Sequence, residues 1–220
     1  MKYQNLHRWD VSPKEAIRIQ ADIAGRIALK PLRTKDIKHI AGVDVSVKGT
    51  MSKAAIVVLS CPGLEPVETV SFTMKTVFPY VPGLLSFREG PVILECVKRL
   101  KTEPDVFVFD GQGLAHPRKA GLASHLGIMI GKPSIGSAKS HLYGSYRIPG
   151  GKKGDFSAIK DEEGKMIGAV LRTRDNTKPV FVSPGHLMDI ASAVKIIISC
   201  CPKYKIPEPI RAAHRAASLV

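Results

Sequence analysis

Two hydrophobic periods divide the chain. From Ile40 to Val47 the period is two: Val43, Val45 and Val47 share one side of an extended segment, Asp44 and Ser46 the other. Ala54 to Cys61 is a near-continuous apolar run, as expected of a strand buried on both faces, and Val67 to Val77 is a third strand of mixed character. Lys48-Gly49 and Pro62-Gly63 fall at the two intervening turns, which predicts an antiparallel meander. Asp105 to Asp110 reads as a short strand, with Met166 to Arg172 and Pro179 to Val182 as later ones.

Helical spacing governs much of the remainder. Ser12-Pro13-Lys14-Glu15 holds the residues of a capping box with a proline in the first turn. Ile17, Ala21, Ala24 and Ile27 follow at helical spacing, and Pro31 is expected to end that helix. Ser86-Phe87-Arg88-Glu89 repeats the box at the head of a helix running to Leu100. Lys119 to Ile130 and Met188 to Cys200 are two more helices. Phe78 to Leu85 is a Pro- and Gly-bearing loop, and Lys152-Lys153-Gly154 and Asp161-Glu162-Glu163-Gly164 are exposed turns. A meander followed by alternating helix and strand predicts an α/β fold. Its centre is one mixed sheet of five to six strands with helices on both faces, in a single domain spanning 1–220.

Charge narrows the partner. Lys and Arg number 33 against 19 Asp and Glu, a net charge of +14, which suits a phosphate backbone and is also compatible with simple solubility or an anionic membrane surface. No run of apolar residues is long enough to span a bilayer, and the first ten residues lack the apolar core of a secretory signal, so a cytoplasmic protein without a membrane partner is expected. The four cysteines (Cys61, Cys96, Cys200, Cys201) form no C-x-x-C pair, which argues against a thiolate zinc site and for reduced thiols.

Three carboxylates stand out. Asp44 interrupts an apolar strand, and a dry core would charge several kcal/mol for it, so it faces water, a cation or a hydrogen-bonding partner. Asp110 ends an otherwise Val-Phe-Val-Phe strand, where functional side chains gather in α/β sheets and where an Asp-Gly turn is an equally ordinary use. Glu89 has a structural task available as the third residue of its capping box. Brought together, the three would make a hard-oxygen site suited to magnesium.

Longer motifs carry a resemblance. Phe78-Pro79-Tyr80-Val81-Pro82-Gly83-Leu84-Leu85-Ser86-Phe87-Arg88-Glu89 resembles the Pro-Tyr-x-Pro-Gly…Leu-x-Phe-Arg-Glu signature of the endonuclease V family. Asp110-Gly111-Gln112-Gly113-Leu114-Ala115-His116-Pro117-Arg118 is similar to its Asp-Gly-x-Gly…His-Pro-Arg signature, and Ile40 to Ser46 to its first-strand Gly-x-Asp motif. Gly131 to Gly136 with Ala138-Lys139, Ser183-Pro184-Gly185-His186 and Pro207-Glu208-Pro209-Ile210-Arg211 also fit, in order along nearly the whole chain.

The resemblance implies a ribonuclease H-like fold and a magnesium-dependent endonuclease, with manganese as a substitute. It implies cleavage at the second phosphodiester bond 3′ to deoxyinosine in DNA, leaving 3′-hydroxyl and 5′-phosphate ends. It implies that Asp44 and Asp110 bind the metal, and that Glu89 binds it through water or moves a proton. Lys139 matches a lysine beside the metal, with a plain phosphate contact as its other reading. His214 falls where the family places a further residue near the metal, often Asp; a surface helix histidine is the other reading. Tyr80, stiffened by Pro79 and Pro82, becomes a wedge that enters the base stack, where without the resemblance it would be a core or lid tyrosine.

The base pocket is expected among Gly83, Gly111, Gly113, Gly121 and Gly136, with Leu85 and Leu142 as apolar walls, although such glycines also serve as turn or packing residues. Arg88, His116 and Arg118 are candidates for phosphate contacts or for local salt bridges. An inosine-specific endoribonuclease and a non-catalytic nucleic-acid-binding module are the competing readings. The 2′-hydroxyl separates DNA from RNA, and the presence of all three carboxylates disfavours the binding module. A monomer is expected.

Overall fold

The computed structural model describes residues 1–218. It contains β1 (His39–Lys48), β2 (Met51–Ser60), β3 (Pro66–Lys75), β4 (Val106–Phe109), β5 (Ser134–Ala138), β6 (Phe156–Lys160), β7 (Met166–Leu171) and β8 (Val180–Pro184). The helices are α1 (Pro13–Ala24), α2 (Leu85–Arg99), α3 (Leu122–Ile130), α4 (Ile190–Ser199) and α5 (Glu208–Ala217). All eight strands join in one sheet, ordered β3-β2-β1-β4-β5-β8-β7-β6.

The expected meander is there: β1–β2 and β2–β3 pair antiparallel, while β4 and β5 add to β1 in parallel. Beyond β5 the sheet returns to antiparallel pairing. This is the ribonuclease H-like α/β arrangement, with eight strands where five to six were expected. The additional strands are β5 and β6. Ser134–Ala138 was masked by its Gly and Ser content, and Phe156–Lys160 is a short edge strand between the two polar turns.

Alternation in the central strands makes two cores. Ile40, Val57, Val106 and Val108 pack under α4 and α5 with Ile196, Ile197, Ile210 and Ala213. Ala41, Val43, Ile56, Phe107 and Phe109 face the other way, against Ile93, Val97, Leu126 and Met129 of α2 and α3. Period two therefore distributes one apolar run between two layers, each buried side chain contributing about 1.5–3 kcal/mol. Among the described residues no helix is long and apolar enough to cross a membrane.

Two helix expectations change. The first helix ends at Ala24, well before Pro31, and its buried face is Ala16, Gln20 and Ile23, while Ile17 is 43% exposed. The face was misread because it turns on Gln20, a polar residue buried for a structural reason given below. In α2 the Ser-x-x-Glu box is not used: the helix begins at Leu85, its N-cap makes no side-chain bond, and Ser86 Oγ bonds His125 Nδ1 at 2.9 Å. Glu89 is thereby released from capping.

Candidate active site

The parallel trio β1, β4 and β5 sets the acidic centre. Val43 is in register with Phe109, and Phe109 with Gly136. One residue past β4, the Asp110 amide donates to the Val43 carbonyl at 3.0 Å, so the strand pairing continues to the Asp44–Asp110 level. Lys139 follows β5 immediately, and its Nζ donates to Asp110 Oδ2 at 2.6 Å. Residues separated widely in sequence thus meet at the carboxyl ends of β4 and β5, beside the middle of β1, and strand ends are the usual location for a site in such sheets.

The last helix completes the other side. Gly42 lets α5 lie directly on β1: a Cβ there would stand 1.9 Å from the Pro209 carbonyl oxygen. With its start pinned at Gly42, α5 carries His214 to Asp44, where Nδ1–H donates to Oδ2 at 2.7 Å. His214 is 64% exposed and Asp44 only 10%.

Charge in this centre is under-compensated. Burial raises the Asp44 pKa, the His214 hydrogen bond opposes the rise, and the Asp110 charge adds to it. Burial also pushes Glu89 up to about 8, reinforced by the charges of Asp44 and Asp110, with Arg88 offsetting only part. For Lys139 burial works against the ammonium, but the hydrogen bond and charge of Asp110, with Asp44 beyond, outweigh it and keep its pKa above the ordinary value. Among the described residues no three His, Cys, Asp or Glu side chains are grouped closely enough to hold an ion by themselves. Asp44 and Asp110 supply hard carboxylate oxygens, the donor type that an oxygen-preferring divalent cation takes one or two of. Raised acidic pKa values, caused partly by mutual repulsion, are what a nearby cation would relieve.

A cleft of about 380 Å³ opens beside Asp110 and Lys139. Tyr80, Pro82, Gly83 and Leu85 form one wall, and Gly111, Gln112, Gly121 and Leu142 lie on its walls as well. At its rim Tyr80 is 74% exposed, with Pro79 and Pro82 also exposed. The loop beneath is anchored rather than loose. Phe78 is buried against Phe87, and Arg88 Nη1 donates to the Phe78 carbonyl at 3.0 Å. Gln20 Nε2, Arg118 Nη2 and His116 Nε2 all donate to the Gly83 carbonyl at 2.9 Å. Gly83 has φ +77°, and a Cβ there would come within 2.8 Å of the Arg118 guanidinium.

Several expected roles shift accordingly. His116 is buried, accepts from the Arg118 amide through Nδ1 and donates through Nε2, so it braces the loop. Burial carries its pKa down to about 4. Arg118 donates from Nε to Gln20 and from Nη2 to the Gly83 carbonyl, so it braces the loop. Arg88 likewise holds the loop. Of the pocket candidates, Gly83, Leu85, Gly111, Gly121 and Leu142 line the cleft, but Gly113 and Gly136 lie behind it. A Cβ on Gly136 would meet Gly113 N at 2.5 Å, and one on Gly113 would meet the Pro184 oxygen at 2.2 Å, so these two permit the 111–113 loop to stack on β5 and β8. Sequence reasoning missed Gln20 and Gln112. For Gln20 the available signal was a polar residue on the inward side of α1; for Gln112 there was its place between two glycines.

Paired carboxylates one residue past the last parallel β1–β4 pair, Val43 and Phe109, in this sheet and under an exposed aromatic rim, define a nuclease of the ribonuclease H-like class. The family model for endonuclease V matches residues 21–215. An endonuclease V of Methanothrix thermoacetophila is 48% identical over 214 residues, covering 97% of this chain and 94% of its own. The Bacillus subtilis endonuclease V crystal structure superposes with a TM-score of 0.94 at 33% identity, covering 99% of this chain and 95% of that one. A Ciona intestinalis endonuclease V, in complex with a 24mer DNA containing an inosine followed by a ribo-adenosine, gives 0.82 at 28% identity over 93% and 95%. The chain belongs to the endonuclease V family and is an endonuclease.

Proposed function

We propose that the chain is a magnesium-dependent repair endonuclease that hydrolyses the second phosphodiester bond 3′ to deoxyinosine, leaving 3′-hydroxyl and 5′-phosphate ends. The observation that carries this reading is the Asp44–Asp110 pair, brought level by the Asp110 amide to Val43 carbonyl bond at 3.0 Å, beside a cleft rimmed by Tyr80. The inosine DNA bound by the Ciona relative supports the choice of lesion.

Asp44 and Asp110 would hold the ion, with Glu89 reaching it through water. When bound, a divalent ion polarises the phosphoryl oxygen and makes water a better nucleophile. The chain's own groups do the rest. Lys139 presents an ammonium beside Asp110, placed to offset negative charge developing on the phosphoryl group. Glu89 has its pKa pushed up to about 8 in the metal-free protein; with that pKa lowered by a bound cation, it stands ready to act as a carboxylate that moves a proton. His214 orients the Asp44 carboxylate through the bond to Oδ2. Tyr80 fills the space left by an extruded base, and hypoxanthine, weakly paired, leaves the stack at lower cost than a normal base.

The test is cleavage of matched strands with and without one deoxyinosine, in magnesium, with an inosine RNA beside them. A nick two bonds 3′ of the lesion is expected, absent from the undamaged strand. Asp110→Ala is expected to keep lesion affinity and lose cleavage. Preference for the RNA reassigns the sugar; no cleavage of any strand in magnesium or manganese overturns the proposal.

A further inference from the structure

Beyond the cleft, one short segment has an anchored backbone and side chains that stand in water. Ser145 forms an isolated antiparallel bridge with Lys160: its amide donates to the Lys160 carbonyl at 2.8 Å, and its carbonyl accepts from the Lys160 amide at 2.9 Å. Further on, Arg172 donates to the Pro149 carbonyl at 3.1 Å and to the Gly150 carbonyl at 2.9 Å. Between these anchors the Arg147 carbonyl accepts from the Ser157 hydroxyl. Yet Tyr146 is 40% exposed and Ile148 79%, and Arg147, Leu142 and Phe156 are exposed as well. Apolar side chains held outside the core by an ordered backbone are the pattern of a contact surface. The Tyr146 ring is braced by two others, Phe181 at 5.4 Å and 78° and His141 at 5.0 Å and 54°. His141 and Leu142 also line the cleft, so Tyr146 continues the cleft wall outward. Arg147 enters no ion pair among the described residues, which leaves its guanidinium open to a phosphate.

We propose that Tyr146 and Arg147 form a sequence-independent subsite outside the cleft for the stretch of substrate flanking the target nucleotide, Tyr146 stacking on an unpaired base and Arg147 donating to a backbone phosphate. This rests on the nuclease reading above and extends it from the lesion to the strand around it. In that reading the Tyr80 rim enters the base stack, and an unpaired flank then needs support that its complement no longer gives. Every base has a π face, so a stack tolerates any flanking sequence. A cation on the phosphate likewise positions the strand without reading it. Because the backbone from Ser145 to Gly150 is already ordered, little freedom is lost when these side chains engage.

The experiment is equilibrium binding, without divalent ion, of single-stranded oligonucleotides that carry one deoxyinosine and are trimmed a nucleotide at a time from the 5′ or the 3′ end. In one of the two series the parent is expected to lose affinity in a step of roughly 5–100-fold, when the stacked nucleotide is removed. Tyr146→Leu still packs on Phe181 but has no ring; it is expected to lose that step and to bind the trimmed oligonucleotide as the parent does. Tyr146→Phe is expected to keep the step. Arg147→Gln is expected to make binding of the full-length oligonucleotide less dependent on salt, with a slope smaller by about 0.7, the share of one phosphate contact on a single strand. A merely structural role would weaken long and trimmed oligonucleotides alike. A step in Tyr146→Leu equal to the parent's, or a parent with no step in either series, overturns the subsite. Cleavage of the full-length oligonucleotide in magnesium is run beside: a parent that shows the step and cuts nothing keeps the subsite and loses the nuclease reading.

Discussion

His214 donates from Nδ1 to Asp44 Oδ2 across 2.7 Å, joining the last helix to the first strand over a sequence separation of 170 residues. The bond lowers the Asp44 pKa against the rise that burial imposes. His214→Ala removes that support. The variant is expected to need about 10–100-fold more magnesium for half-maximal cleavage, as when other partners of metal-binding carboxylates are removed. The acid limb of its pH profile is expected to move to higher pH, since Asp44 gives up its proton less readily. Magnesium titrations at several pH values measure both, and an unchanged ion requirement would contradict the role.

Tyr80 offers the largest exposed aromatic surface at the cleft, on a loop held from beneath. Tyr80→Ala is expected to weaken binding to a deoxyinosine duplex by about 1–3 kcal/mol, the worth of one base–aromatic stack. Binding to undamaged duplex should change far less. Equilibrium binding to both, without magnesium, checks this; equal losses argue against the wedge.

Gly83 joins the rim to the brace formed by Gln20, His116 and Arg118. Gly83→Ala combines φ +77° with a clash against the Arg118 guanidinium. A loss of about 1–2 kcal/mol in unfolding free energy is expected, with weaker lesion binding as the loop shifts. Denaturant unfolding together with strand affinity tests it, and a stability equal to the parent would show that the loop adapts.

Acid should destabilise the fold through buried histidines. Burial lowers His116 to about 4 and His125 to about 3, the latter helped by His7. Both are near 6.5 when unfolded, so as pH falls below 6.5 the unfolded chain takes up protons that the folded chain refuses. Unfolding free energy is therefore expected to drop between pH 6.5 and about 4, and His116→Gln should flatten part of that slope. Glu89 acts in the opposite direction: with its folded pKa near 8, it costs stability as pH rises from 4.5 to about 8. Glu89→Gln is accordingly expected to gain on the metal-free parent across that upper range. Urea unfolding in metal-free buffer at stepped pH values measures both slopes.

The sheet was legible because alternation in β1 and the apolar runs of β2 and β4 are direct consequences of burial on two faces. β5 and β6 were not, since Ser134–Ala138 and Phe156–Lys160 owe their strand form to neighbours rather than to their own residues. Asp44, Glu89, Asp110 and Lys139 stood out as candidates only through long motifs; periodicity left each with an ordinary structural use. The position of α5 had no local signature, because it depends on the missing side chain of Gly42. The bonds of Arg118 and His116 to the Gly83 carbonyl were not legible for a related reason: a basic residue next to a glycine loop looks the same in sequence whether it meets a phosphate or a carbonyl.

The direct test of the central claim is divalent-ion binding, read by manganese electron paramagnetic resonance in the presence of a deoxyinosine strand. Parent protein is expected to take up manganese, and Asp44→Asn and Asp110→Asn are each expected to weaken uptake at least about 10-fold, because both carboxylates serve one ion. Uptake unchanged in both variants would contradict a shared metal site and the chemistry built on it.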